Sequence, residues 1–133
     1  MNNQPELDKY KQEIADLYTR RSQTYDNSDW HLQIAHRLVE YGRVSRGQKV
    51  LDIATGTGHV AIAAAQIVGS EGRVIGIDIS PGMLAVARNK ALELNLHNNT
   101  EFLLGDAENL DLQYNTFPTG LSLTRHYKLL QFA

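Results

Sequence analysis

Three aspartates and two glycines in the middle of the chain are the residues best suited to chemistry. Asp52, Asp78 and Asp106 each lie in, at the end of, or just after a short apolar run. Gly56 and Gly58 follow the first run, and glycine allows positive φ and close approach of the backbone to a ligand. The alanine-rich segment that follows predicts a helix, whose N-terminus presents unpaired N–H groups and a positive dipole end. This turn is therefore predicted to cradle a polar or anionic group.

The spacing of the acids indicates a nucleoside. Asp78 comes 20 residues after Gly58, and in dinucleotide sites an acid at this interval accepts hydrogen bonds from ribose hydroxyls. Asp106 and Ala107 follow the next apolar run, where they are placed to reach an adenine ring. Together these residues predict an adenosine bound across the ends of neighbouring strands. The alternative is that Asp78 and Asp106 only cap the turns or helices that follow them.

Two cofactors fit this pattern. Residues 56–61, Gly-Thr-Gly-His-Val-Ala, match the Gly-x-Gly-x-x-Gly/Ala pattern of nicotinamide dinucleotide proteins. However, Asp52 lies four residues ahead of Gly56, where its charge would repel a pyrophosphate and attract a cation. S-adenosylmethionine carries a sulfonium and an α-ammonium and no phosphate. The acid therefore favours S-adenosylmethionine, with an NAD-dependent oxidoreductase as the alternative.

Strands that alternate with helices of about a dozen residues must hold these side chains in place. Strands are predicted over 50–54, 73–78 and 101–104, and helices over 7–21, 30–41, 59–68 and 81–94. This alternation predicts an α/β fold, a Rossmann-like doubly wound parallel sheet with the strand order 3-2-1. In the second helix, four residues are predicted to face the core, with Gly42 ending the helix: Trp30, Ile34, Leu38 and Tyr41.

The composition excludes several classes of protein. The 133 residues are 42% hydrophobic and 21% charged with a net charge of -2, which is typical of one soluble domain and gives no basis for a nucleic-acid partner. No stretch approaches the roughly 20 apolar residues of a membrane span, and residues 1–11 lack the apolar core of a signal peptide. Cysteine is absent and the five histidines show no metal-ligand spacing. We therefore expect a cytoplasmic protein with no metal and no membrane insertion.

Three segments in order resemble the successive motifs of class I S-adenosylmethionine-dependent methyltransferases. They are residues 50–58, 76–84 and 105–108. The residues of these motifs are most similar to those of the ubiquinone/menaquinone C-methyltransferase subfamily, and the resemblance covers residues 50–110. Tyr25-Asp26 also resembles a Tyr-Asp pair whose tyrosine lies near the cofactor in that family. The implied activity is transfer of the sulfonium methyl group to a small-molecule acceptor, with a quinone precursor as the candidate.

The resemblance implies roles for the first motif. Asp52 would hold the amino group of S-adenosylmethionine, directly or through water. Gly56 and Gly58 would let the backbone approach the methionine part and the ribose, with Thr55 in the same loop. Ala54 stands where the family usually has the first glycine of this loop.

The later motifs would bind the adenosine. By the same resemblance, Asp78 would bind both ribose hydroxyls, and Ile79 and Met83 would pack on the adenine. Asp106 would accept a hydrogen bond from the exocyclic amine, and Ala107 would donate its backbone N–H to the ring.

The resemblance ends near Phe117. We expect residues 1–48 to form a helical cover, residues 49–117 the cofactor-binding half of a methyltransferase domain, and residues 118–133 an atypical tail. The hypothesis is a truncated chain, weakly active or inactive, produced by a change of reading frame near Phe117. The alternatives are a genuine short variant and a non-catalytic module that keeps only the nucleoside site.

A missing fourth strand would leave the first strand with a bare edge, which favours pairing with another chain. Residues 121–124, Leu-Ser-Leu-Thr, alternate with period two and are a candidate to fill this place. Otherwise we expect a homodimer formed through the exposed edge.

Overall fold

A parallel sheet of four strands forms the centre of the structure. The computed structural model describes residues 7–27, 30–107 and 127–131. The strands are β1 (Lys49–Ile53), β2 (Arg73–Asp78), β3 (Thr100–Leu104) and β4 (Tyr127–Gln131). Their order in the sheet is β3-β2-β1-β4, with every neighbouring pair parallel. The predicted α/β doubly wound fold and its 3-2-1 order are confirmed.

The fourth strand corrects one expectation. β4 pairs with β1 over its whole length, with Lys49 opposite Tyr127 and Ile53 opposite Gln131. The bare edge expected on β1 is therefore wrong, because residues near the C-terminus take the N–H and C=O groups on that side. The candidate segment 121–124 lies outside the described residues. The homodimer was expected to form through that bare edge, so the reason for expecting it no longer holds.

Within the described residues, four helices accompany the sheet, and local sequence explains where two of them begin. They are α1 (Lys9–Arg21), α2 (Trp30–Tyr41), α3 (His59–Val68) and α4 (Pro81–Glu93), with a 3₁₀ turn at Tyr25–Asn27 between the first two. The Asp8 carboxylate accepts a hydrogen bond from the Lys11 N–H at 2.8 Å, which caps α1. The Ser80 hydroxyl caps α4 in the predicted way, with Pro81 at the first position.

Helix α2 differs from its prediction in two respects. Ala35 and Val39 are its buried residues, whereas Trp30 is 50% exposed and Tyr41 86% exposed. The small side chain of Ala35 belongs to the core that α3 also enters, so packing selects this face over the larger aromatic residues. The helix also ends through Arg43 at φ 53° rather than through Gly42, since the next N–H, of Val44, bonds back to Val39 O.

Both faces of the sheet are buried, as in other parallel sheets. On one face, Val50, Val74 and Phe102 form a cluster with residues of the helices. On the other face, the next residues along the first two strands, Leu51 and Ile75, belong to a second cluster. This alternation follows from the period of two along a strand. Among the described residues, no helix is both long and apolar enough to cross a lipid bilayer.

Candidate functional site

Two clefts lie at the carboxyl ends of the strands and meet at Ala54, which lines both. The first, the Asp52 cleft, has a volume of about 50 Å³ and contains these predicted site residues: Tyr25, Asp52, Ala54, Thr55 and Gly56. The second, the Asp106 cleft, has a volume of about 280 Å³ and contains these: Ala54, Asp78, Ile79, Asp106 and Ala107. The fold thus gathers nine of the eleven predicted site residues around one edge of the sheet.

Gly58 and Met83 are the two that line neither cleft. Met83 is only 1% exposed and belongs to the buried face of α4. A Cβ on Gly58 would lie 3.0 Å from the Ala87 Cβ and 3.3 Å from the Phe102 ring. The structure therefore places Gly58 where α3 packs closely on its neighbours, and it places Met83 in the buried core rather than in either cleft.

The loop between β1 and α3 makes repeated use of left-handed backbone conformations. Ala54, Gly56 and Gly58 have φ of 58°, 58° and 87°. Glycine adopts such angles without strain, while an alanine there is strained. Ala54 therefore occupies a position whose backbone suits glycine, as the resemblance to glycine-rich methyltransferase loops implies.

Asp52 is the most deeply buried acid of the site, at 1% exposure. Its Oδ2 accepts a hydrogen bond of 2.6 Å from the Thr55 hydroxyl, and its Oδ1 is buried without a hydrogen-bond partner. Burial and the nearby Asp78 charge raise the pKa of Asp52 to about 7, although the Thr55 bond and the Ala61 backbone N–H oppose this shift. A cation in the cleft would stabilise the ionised carboxylate, so the site fits a ligand that carries an ammonium group.

Asp78 connects β2 to the glycine loop. Its Oδ2 accepts the Gly56 N–H at 2.9 Å, and its Oδ1 accepts the Ser80 N–H at 2.9 Å. The second bond is the local capping contact that was the alternative for this residue, and the first shows that the carboxylate also holds the loop. Burial raises the pKa of Asp78, although these N–H groups oppose the shift.

Asp106 is paired with the N-terminal helix. The Lys11 ammonium lies 2.8 Å from Asp106 Oδ2, and Asp106 is 7% exposed. Tyr10, Lys11 and Ile14 line the Asp106 cleft, so α1 forms one of its walls. Asp106, the residue predicted to contact an adenine, therefore lies directly beside a cation that the sequence spacing did not associate with it.

Asp26 ties the 3₁₀ turn to α3 and α4. Its Oδ1 accepts a hydrogen bond from the Thr57 hydroxyl and lies 2.9 Å from His59 Nε2, while the Lys90 ammonium donates to Oδ2 at 2.8 Å. Burial by itself would raise the pKa of Asp26, but the Lys90 and Thr57 hydrogen bonds and the Lys90 charge outweigh it and lower the pKa. Burial and the Lys90 charge lower the pKa of His59, so its imidazole is neutral at pH 7.

An aromatic stack borders the Asp52 cleft beside this network. The Tyr25 ring lies parallel to the His31 ring, with centroids 4.7 Å apart and planes within 6°. The centroid of the His31 ring in turn lies 5.6 Å from that of the His59 ring. Burial raises the pKa of the Tyr25 hydroxyl, and the charges of Tyr18, Asp78 and Asp26 add to that shift. The Tyr25-Asp26 pair thus has two roles, since Tyr25 lines the cleft and Asp26 anchors the turn.

Sequence reasoning missed Lys11, His31 and Lys90. Lys11 and Lys90 pair with acids 95 and 64 residues away, and no local pattern reports a contact over such separations. His31 could be noticed only through its closeness in sequence to Tyr25.

Comparison with known proteins identifies the family. A family model described as a methyltransferase domain matches residues 44–122. The chain belongs to the methyltransferase domain family. It is 39% identical over 101 residues to the aklanonic acid methyltransferase DauC of Streptomyces sp. (strain C5), covering 74% of this chain and 46% of that protein. It is 36% identical over 110 residues to the ubiquinone/menaquinone biosynthesis C-methyltransferase UbiE of Idiomarina loihiensis, covering 78% of this chain and 44% of UbiE.

A solved structure shows the same fold and cofactor class. The SAM-dependent methyltransferase from Aquifex aeolicus is 27% identical and superposes with a TM-score of 0.59, covering 75% of this chain and 53% of that one. Membership of the methyltransferase family supports S-adenosylmethionine as the cofactor, and these comparisons give no support to the NAD-dependent alternative. The chain spans about half the length of these methyltransferases.

Proposed function

We propose that this chain binds S-adenosylmethionine across the two clefts and takes part in methyl transfer to a small-molecule acceptor. The observation that carries the proposal is the meeting of the clefts at Ala54, with Asp78 and Asp106 on one side and Asp52 on the other. An adenosine with a charged amino-acid end needs this combination of a larger and a smaller compartment. The same proposal includes the division of the chain into a helical cover (1–48), a cofactor-binding half (49–117) and a tail (118–133).

The larger Asp106 cleft suits the adenosine. Asp78 supplies the acceptor oxygens for the ribose, Ile79 an apolar surface for the ring, and Asp106 an acceptor for the exocyclic amine. Ala107 lines the same cleft and offers its backbone N–H to the ring. The Lys11 ammonium lies 2.8 Å from Asp106 Oδ2, and the Asp106 carboxylate oxygens act as the acceptors in this proposal.

The smaller Asp52 cleft suits the methionine end. Asp52 Oδ1 is buried and lacks a partner, which matches a ligand ammonium. When bound, S-adenosylmethionine supplies the reactive sulfonium methyl group. The residues described above contribute by binding and orienting it, and positioning alone can provide a large part of the rate.

The acceptor is proposed from the relatives. The two relatives reported above are named for aklanonic acid and for ubiquinone/menaquinone biosynthesis, so we propose a small molecule, with a quinone precursor as the candidate. A cytoplasmic location and the absence of a nucleic-acid partner remain proposals that rest on composition and on the net charge of -2.

Isothermal titration of the full chain with S-adenosylhomocysteine, and with NAD for comparison, tests the proposal. We expect saturable binding of S-adenosylhomocysteine only, and a loss of about tenfold or more in the Asp78→Asn variant, since a carboxylate that accepts two hydroxyl groups is replaced by an amide. Asp16→Asn is the matched control because Asp16 is exposed on α1.

Two results would contradict the proposal. Preferential binding of NAD would favour an oxidoreductase. No binding of either ligand by a chain that melts cooperatively would show that the clefts do not form a cofactor site.

A further inference from the structure

Two buried polar atoms without hydrogen-bond partners belong to residues that line the same small cleft. Among the side chains that the structure describes, only Asp52 Oδ1 and His31 Nδ1 are buried in this state, and both residues line the Asp52 cleft. An unsatisfied buried polar atom costs about 1–3 kcal/mol, so two in one place indicate a position for a polar ligand.

Several neighbouring polar groups are already engaged. The Thr55 hydroxyl donates to Asp52 Oδ2, and Asp26 accepts a hydrogen bond from Thr57 and contacts His59 Nε2. The open positions are therefore a carboxylate oxygen, which accepts, and an imidazole nitrogen, which donates in one tautomer.

The His31 ring is held in a defined orientation. It stacks on Tyr25 and its centroid lies 3.8 Å from that of Trp30. A ring fixed in this way loses little additional freedom when a ligand binds, so its Nδ1 is organised in advance for a directional contact.

We propose that His31 recognises the α-carboxylate of the amino-acid end of the cofactor, opposite Asp52, which holds the α-ammonium. This inference rests on the proposed function and assigns a specificity residue that the sequence motifs did not contain. An acceptor and a donor on two residues that line one cleft match the two charged groups of an α-amino acid. A volume of about 50 Å³ exceeds the about 10–15 Å³ needed for one water, so the cleft has room for a polar group larger than one water.

The experiment compares two adenosine ligands that differ only at this end. S-adenosylhomocysteine carries the amino acid, whereas 5′-methylthioadenosine keeps the adenosine and the thioether without it. Titration of the full chain with each ligand is repeated for His31→Phe, which preserves a ring for stacking, and for the control His36→Phe, an exposed position on the same helix. We expect His31→Phe to weaken S-adenosylhomocysteine by about tenfold or more and to leave 5′-methylthioadenosine unchanged, with no effect of His36→Phe.

An equal loss for both ligands, or no loss for either, would overturn the assignment, since His31 would then only pack against its neighbours or contact a water. If wild-type chain binds 5′-methylthioadenosine as tightly as S-adenosylhomocysteine, the amino-acid subsite fails while the adenosine site stands. If it binds neither, the proposed function itself fails.

A second measurement does not depend on the folding of a variant. The ¹⁵N resonance of His31 Nδ1 in labelled wild-type chain should shift on addition of S-adenosylhomocysteine and stay in place with 5′-methylthioadenosine. The same shift with both ligands would contradict a direct contact with the carboxylate.

Discussion

Lys11 and Asp106 form an ion pair of 2.8 Å between helix α1 and the segment after β3, across 95 residues of sequence. Asp106 is nearly buried, so this contact neutralises a carboxylate at the wall of the larger cleft. The N-terminal helix is therefore joined to the proposed adenine subsite by charge as well as by packing.

Removing one partner of this pair should destabilise the fold. We expect Lys11→Met to lower the free energy of unfolding by about 2 kcal/mol, because it removes the ion pair of 2.8 Å with the nearly buried Asp106. Lys9→Met, at an exposed position on the same helix, should change it by less than about 0.5 kcal/mol. Urea denaturation of Lys11→Met, Asp106→Asn and the double variant would measure the coupling. Additive effects of the two substitutions would show that the pair contributes no stability.

The raised pKa of Asp52 predicts a specific pH dependence. With a pKa of about 7 in the folded chain and about 3.9 when unfolded, the native state binds more protons between pH 4 and 7. Stability should therefore fall as pH rises through this window, by up to about 1.4 kcal/mol per unit.

The Asp52→Asn variant isolates this effect, because it removes the titrating group and leaves the other acids in place. We expect the variant to be more stable than wild type at pH 8, with the difference shrinking as the pH is lowered to 4. Urea titrations at several pH values measure the difference. Parallel curves for the two proteins would contradict the burial of an ionisable Asp52.

The two glycines of the loop should respond differently to alanine. Gly58→Ala should cost about 2–4 kcal/mol, because the new Cβ would crowd Ala87 and Phe102 at a φ of 87°. Gly56→Ala should cost only about 1–2 kcal/mol, since its Cβ would meet nothing within 4 Å. It should weaken S-adenosylhomocysteine, because Gly56 lines the Asp52 cleft. Thermal melts and titrations of both variants test this contrast, and equal destabilisation would refute it.

Ala54→Gly should stabilise the chain. Ala54 has φ 58°, and relief of this strain is expected to add about 1 kcal/mol to the free energy of unfolding, reduced in part by the greater freedom of glycine in the unfolded chain. Ala64→Gly, inside helix α3, should instead lose about 1 kcal/mol or more. Denaturation followed by circular dichroism compares the two, and a loss in both variants would show that the left-handed angle carries no strain.

Local sequence was sufficient for most of the fold. Ser80 and Pro81 marked the start of α4, and the apolar runs marked the first three strands within one residue of their observed ends. Right-handed crossovers between neighbouring strands then favoured the order 3-2-1 that the structure has. The sequence offered residues 121–124 as a candidate fourth strand, and the structure instead pairs residues 127–131 with β1, because pairing between distant segments is not encoded in a short local pattern.

The amino-acid sequence by itself determined the helices and the first three strands, the order of those strands and the acids at their ends, because backbone preferences and side-chain periodicity act over a few residues. The tertiary structure decided which groups those acids meet. It brought Lys11 to Asp106, left one oxygen of Asp52 without a partner and placed His31 across the same cleft. These contacts depend on how α1 packs on α4 and α2 on α3, and a periodic pattern does not specify the position of a docked helix to within a hydrogen-bond length.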